Sequence, residues 1–197
     1  MLHAIIDIGS NTIRMAVYQI EGDTFTMLMK RKHTVGLAGC LADGRLTREG
    51  VDLTIKILGG FVDLIDALGI GRVHAFATAA LRTATNRAAV LAEIERRTGV
   101  RIRVLSGAEE AAYAFRGAAA SIPYADGIMA DIGGGSTEIA VISLGGIVCN
   151  NSIRVAGDDL TADIQEYMSR QHNVKVSERM AERIEALGWD HFTYRPA

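Results

Sequence analysis

Apolar and polar positions along the chain divide into short runs and one long helical stripe. The segments HAIIDI (3–8), TIRMAVYQI (12–20) and 24–30 are rich in branched and aromatic side chains, and Gly9-Ser10-Asn11 and Glu21-Gly22-Asp23 separate them. Runs of that length between turn-forming residues predict a three-strand meander. Thr47 then stands where a helix cap belongs, and Val51, Ile55, Leu58, Phe61, Ile65 and Leu68 recur at helical spacing up to Gly69. This predicts a helix with one buried stripe, weakened by Gly59-Gly60 and stopped at Gly69. VHAFAT (73–78) reads as a buried strand, 86–97 as a helix ended by Gly99, VRIRVL (100–105) as another strand, and Ser106 opens a helix to about residue 120. Strands that alternate with helices imply parallel pairing.

The stretch Ser121-Ile122-Pro123-Tyr124 has linker composition and divides a first unit, 1–122, from a second, 123–197. The second unit repeats the opening theme: GIMADI (127–132), a glycine turn, TEIAVISL (137–144) and GIVCNNSIRVA (146–156) read as three strands. Aligning Asp7-Ile8-Gly9-Ser10-Asn11-Thr12 with Asp131-Ile132-Gly133-Gly134-Gly135-Ser136-Thr137 gives two Asp-Ile-Gly turns, each between strands. This internal repeat predicts two similar lobes facing across a cleft.

Composition narrows the function. With 197 residues, 49% of them hydrophobic, the chain has enough apolar material for a packed core. A net charge of −2, from 21 Lys and Arg against 23 Asp and Glu, argues against DNA or an anionic membrane as the main partner. Cys40 and Cys149 stand apart with no Cys-x-x-Cys pair, which suggests neither a disulfide framework nor a thiolate zinc site. No secretory leader and no 18-residue apolar run is legible, so a cytoplasmic setting is expected.

The candidate chemistry lies at the turns. Glycine tolerates positive φ and leaves room for close approach, so each turn can aim backbone N–H groups and a Ser or Thr hydroxyl at a phosphate, although glycine also serves plain tight turns. The helix-linked phosphate motifs are absent, because strand patterns follow both turns. Asp7 and Asp131 each end an apolar strand, where a bare carboxylate would repel phosphate, and a divalent cation removes that conflict; Mg²⁺ is therefore implied. Ser106 and Glu109 have the spacing of a capping box. Glu110 has no such duty and could activate water, or could be an ordinary first-turn carboxylate. Glu138 could face the cleft or be a plain strand residue. Arg82, just past a strand, could clamp phosphate oxygens or be a solvated arginine. Lys30-Arg31-Lys32-His33 reads as a solvated strand end or a guide for a polyanion, and Met15, Met27 and Met29 as core.

Four blocks, DIGSNTIRMAV (7–17), ATAALRTATN (77–86), VLSGAEEAAYAFRGA (104–118) and ADIGGGSTEIAV (130–141), together resemble the exopolyphosphatase/guanosine pentaphosphatase (Ppx/GppA) family of the actin-like ATPase superfold. The resemblance covers about residues 3–145. It implies an α/β fold with ribonuclease H-like lobes, a mixed sheet with a three-strand meander and flanking helices. It also implies Mg²⁺ and stepwise release of orthophosphate from polyphosphate or guanosine pentaphosphate. Carried over by motif, Glu110 and Glu138 are catalytic, with Glu110 as the water-activating base. Asp7, Asp131 and Glu138 surround the metal, and Ser10, Asn11, Thr12, Arg82, Gly133, Gly134, Gly135 and Ser136 hold phosphate. Thr12 replaces the family's usual serine and keeps the hydroxyl. After residue 152 the pattern departs and is similar to actin and the bacterial rod-shape protein MreB, with an Ala-Gly-Asp turn opening a helix that holds Asp158. That stretch implies a nucleotide-binding scaffold as an alternative. The second unit is shorter than a full lobe, which adds an inactive phosphate-binding module as a third reading and leads us to expect pairing with a second copy of the chain or with a missing segment.

Overall fold

The computed structural model describes residues 1–22, 24–119, 127–133, 135–143, 146–153 and 155–186. The meander is β1 (Leu2–Ile8), β2 (Thr12–Glu21) and β3 (Thr24–Thr34), followed by a short 3₁₀ turn and the two-residue strands β4 (Leu41–Ala42) and β5 (Arg45–Leu46). Then come α1 (Arg48–Ala67), β6 (Arg72–Ala77), α2 (Ala79–Thr83), α3 (Arg87–Thr98), β7 (Ile102–Val104) and α4 (Gly107–Ala119). The remainder is β8 (Gly127–Ile132), β9 (Thr137–Ser143), β10 (Gly146–Ile153), α5 (Gly157–His172) and α6 (Glu178–Ala186). Ser121-Ile122-Pro123-Tyr124, read as a linker, lies outside the described residues.

The result is an α/β fold around a mixed five-stranded sheet in the order β3-β2-β1-β6-β7, with antiparallel pairing inside the meander and parallel pairing of β1 with β6 and β6 with β7. Alternation explains its core. Ala4, Ile6 and Ile8 of β1 and Ile13, Met15 and Val17 of β2 share one face, all but sealed from solvent, and pack with Val51, Ile55, Leu58, Phe61 and Ile65 of α1 and Val90 and Ile94 of α3. Thr47 caps α1 by accepting from Gly50 N–H, and Gly99 ends α3 in the left-handed region. A second sheet, β10-β9-β8, is antiparallel throughout, and α4 lies against it.

Three expectations change in detail. Leu68 lies just beyond the last residue of α1 and is 44% exposed, so the buried stripe ends at Ile65. β6 is buried only toward its end: Ala75 and Ala77 are buried, Val73 on their own face is 41% exposed, and on the opposite face His74 is exposed and meets His3. Met15 is core and Met29 packs against it, but Met27 is exposed on the β3 edge. No helix among the described residues is long and apolar enough to cross a membrane.

Leu58 is sealed beneath α1, so Leu58→Ala is expected to lower the unfolding free energy by about 2–5 kcal/mol, read as a reduced denaturant midpoint at unchanged slope. Leu68→Ala, at the exposed end of the same helical stripe, should change it by less than about 0.5 kcal/mol.

Candidate active site

The two glycine turns have the same construction. Gly9 N–H donates to the Thr12 carbonyl at 2.9 Å, and Gly133 N–H donates to the Ser136 carbonyl at 2.9 Å. Thr12 therefore matches Ser136, without the one-residue gap in the sequence alignment. Neither Gly9 nor Gly133 has positive φ, so of the two expected reasons for these glycines the structure shows the second, room for close approach. A Cβ on Gly9 or Gly133 would crowd the carbonyl that closes its own turn, and a Cβ on Gly135 would lie 2.9 Å from the Ser10 Cβ. The hairpins touch each other through Gly135 and Ser10. Gly134 lies outside the described residues.

The pairing registers carry side chains to this junction. Asp7 is opposite Arg14 in the first sheet, and Asp131, Glu138 and Ser152 form one row across the second. Burial raises the Asp7 pKa, Arg14 opposes the shift, and the Asp131 carboxylate adds to it. The aspartates ending the two apolar strands thus sit close enough to feel each other's charge. Arg14 Nε also donates to Thr12 Oγ1 at 3.0 Å, a contact the motif reading omitted.

Beside the hairpins lies a polar cluster on α2, α4 and β9. Arg82 Nη1 donates to Glu110 Oε2 at 2.6 Å and to the Leu105 carbonyl at 3.2 Å, while Nη2 is 3.9 Å from Glu138 Oε1. Arg82 is half-buried and paired, unlike a solvated surface arginine. Glu138 is buried and accepts from Ser152 Oγ at 2.9 Å, a partner supplied by its cross-strand neighbour. The Ser106–Glu109 capping box forms as expected: Glu109 N–H donates to Ser106 Oγ, and Ser106 N–H donates to the Glu109 carboxylate. That leaves Glu110 turned inward, where burial raises its pKa, the Arg82 hydrogen bond opposes this, and the Glu138 charge raises it further. A cleft of about 400 Å³ opens here, lined among others by Arg82, Thr83, Gly107, Ser136 and Ser152.

The structure gathers most of the expected site. Asp7 and Asp131 feel each other's charge; Arg82, Glu110 and Glu138 meet; Ser10 touches Gly135, and Ser136 lines the cleft. Asn11 instead turns outward to Asp158 on α5. Glu138 faces Arg82 and Ser152, and Asp7, Asp131 and Glu138 do not form a three-carboxylate cluster; among the described residues no group of three or more His, Cys, Asp or Glu gathers in that way. The donor set that remains, two coupled carboxylates beside a polar cleft, fits Mg²⁺, which binds through one or two carboxylates and completes its shell with water and substrate oxygens.

The sequence model of the Ppx/GppA phosphatase family matches residues 16–186, and so runs through the stretch after residue 152 where the motif reading departs. Exopolyphosphatase 1 of Mycobacterium leprae is 31% identical over 140 residues, which are 69% of this chain and 41% of that protein. This chain thus spans about two fifths of the length of that relative. The crystal structure of an exopolyphosphatase from Cytophaga hutchinsonii superposes with a TM-score of 0.74 at 26% identity, covering 86% of this chain and 60% of the other. MreB5 of Spiroplasma citri bound to ADP superposes with a TM-score of 0.59 at 19% identity, over 93% of this chain and 61% of that one, a likeness of fold alone.

Because burial and Asp131 favour neutral Asp7, the stability tied to this group is full below the ordinary carboxylate range and is lost as pH rises through its raised folded-state value. Asp7→Asn should therefore melt close to wild type at acid pH and above it at neutral pH. Added Mg²⁺ should raise the wild-type melting temperature and leave that of the variant unmoved. A variant less stable than wild type at neutral pH contradicts the charge conflict.

Proposed function

The chain belongs to the Ppx/GppA phosphatase family, and on that footing we propose that it is a phosphohydrolase releasing orthophosphate from the end of polyphosphate or guanosine pentaphosphate. The observation that carries this reading is Glu110, held by Arg82 and facing Glu138 beside two opposed phosphate-type hairpins.

In this reading the hairpins, through Ser10, Thr12, Gly133, Gly135 and Ser136, cradle the terminal phosphoryl group. The Arg82 guanidinium, already forked toward Glu110 and Glu138, adds an N–H donor to its oxygens. Asp7 and Asp131 would hold Mg²⁺, which when bound neutralises charge on the phosphate oxygens. Glu110 accepts a proton from a water as its oxygen attacks phosphorus in line; the bond from phosphorus to the bridging oxygen breaks, and the shortened chain leaves with that oxygen. Glu138, fixed by Ser152, orients the water from the other side. Burial serves the base directly, because a carboxyl whose proton affinity exceeds the usual glutamate value is a stronger acceptor near neutral pH. Most of the catalysis is positioning and charge stabilisation.

The test is orthophosphate release from long polyphosphate, guanosine pentaphosphate and ATP with Mg²⁺. Wild type should act on at least one of the first two, and Glu110→Gln should lose roughly 10²- to 10⁴-fold in kcat. The rate should rise with pH as Glu110 loses its proton, on an acid limb lying above the ordinary glutamate range, and that limb should vanish in the variant. A wild-type chain that binds ATP or polymerises and releases no phosphate supports the scaffold reading instead.

A further inference from the structure

Asn11 donates from Nδ2 to Asp158 Oδ1 at 2.8 Å, joining the β1–β2 hairpin to the first turn of α5 across 147 positions of sequence. Both ends of this contact are tied down. The Asn11 carbonyl accepts from Val35 and Gly36 N–H, which holds its backbone against the residues after β3. On the other side, Gly157 N–H donates to the Gly133 carbonyl at 3.0 Å, so α5 begins on the second hairpin. The contacts close a ring: Asn11 to Asp158, Gly157 to Gly133, and Gly135 back to Ser10.

Among the described residues Asp158 makes no other hydrogen bond or ion pair. Its neighbour Asp159 accepts from Ala156 N–H at 3.0 Å and does the capping. Asp158 is also in unfavourable company: burial and the carboxylates of Asp159, Glu178 and Glu182 all disfavour its charge, and the Asn11 amide favours it. An asparagine here would accept the same hydrogen bond without that repulsion. What only an ionised carboxylate does is accept at every position, which forces the NH₂ end of Asn11 toward α5 and forbids the flipped amide.

We propose that Asp158 is a positioning residue for the phosphate site, acting through Asn11: it fixes the orientation of that amide and so the face the first hairpin turns to the substrate. The proposal rests on the reading of the hairpins as a phosphate cradle.

Binding of inorganic triphosphate in the presence of Mg²⁺, followed by calorimetry, tests it together with melting temperature and the kinetics of orthophosphate release. Asp158→Asn should melt at or above wild type, because a repelled charge is gone, yet bind triphosphate roughly tenfold more weakly, because the flipped Asn11 amide is then populated and lowers the competent fraction. KM should rise by the same factor with kcat within about twofold, and Asp158→Glu should recover part of the affinity. In an Asn11→Ala background, Asp158→Asn should have no further effect. Equal binding by wild type and Asp158→Asn overturns the proposal and leaves the phosphate site standing, as does an undiminished loss in the Asn11→Ala background. Wild type that binds no triphosphate overturns both.

Discussion

Two carboxylates within reach of each other's charge, at the ends of strands β1 and β8, are the constraint on which the site depends. Asp7 and Asp131 each follow an apolar run, and each precedes a glycine turn closed by the same hydrogen bond, from Gly9 to Thr12 and from Gly133 to Ser136. Bringing the turns together to the point where Gly135 and Ser10 leave no room for a methyl group also brings the charges together, and the Asp7 pKa is raised by burial first and by the Asp131 carboxylate in addition. On the proposed reading a cation placed there would relieve the conflict, and an anion could follow it.

The same economy runs through the neighbouring cluster. Arg82 lies between two glutamates, and the three groups have different surroundings: Glu138 is buried with a hydroxyl partner, Glu110 is partly desolvated at a helix start, and the guanidinium bridges them. The two carboxylates are therefore not equivalent, and the proposed reading gives them different tasks. The capping box makes this division possible, because Glu109 satisfies the helix end and leaves Glu110 free to turn inward.

Much of this was legible in the sequence because it follows from periodicity. The alternation of Ala4, Ile6 and Ile8 and the helical spacing of Val51 to Ile65 correspond to the observed core, and the twin Asp-Ile-Gly turns correspond to the observed hairpins. What escaped depends on distance in sequence or on exact backbone geometry. Leu68 continues the apolar stripe past the end of α1, where it is exposed. The turn glycines allow either left-handed backbone or close approach, and only the structure shows that it is close approach. The Glu138 partner Ser152 is set by the register of β10, which includes an irregularity between Ile147 and Cys149 that no spacing rule reveals. Asn11 carries the composition of a phosphate ligand, yet its amide is engaged by a residue on α5 that only the tertiary structure brings near.

The contact between the two hairpins is the central claim, and a double-mutant cycle at Gly135 and Ser10 tests it most directly. Gly135→Ala alone should cost about 1–3 kcal/mol of stability through the clash of its new methyl group with Ser10. Ser10→Gly should remove most of that cost when the two are combined. Additive effects, or a harmless Gly135→Ala, would mean that the hairpins do not meet.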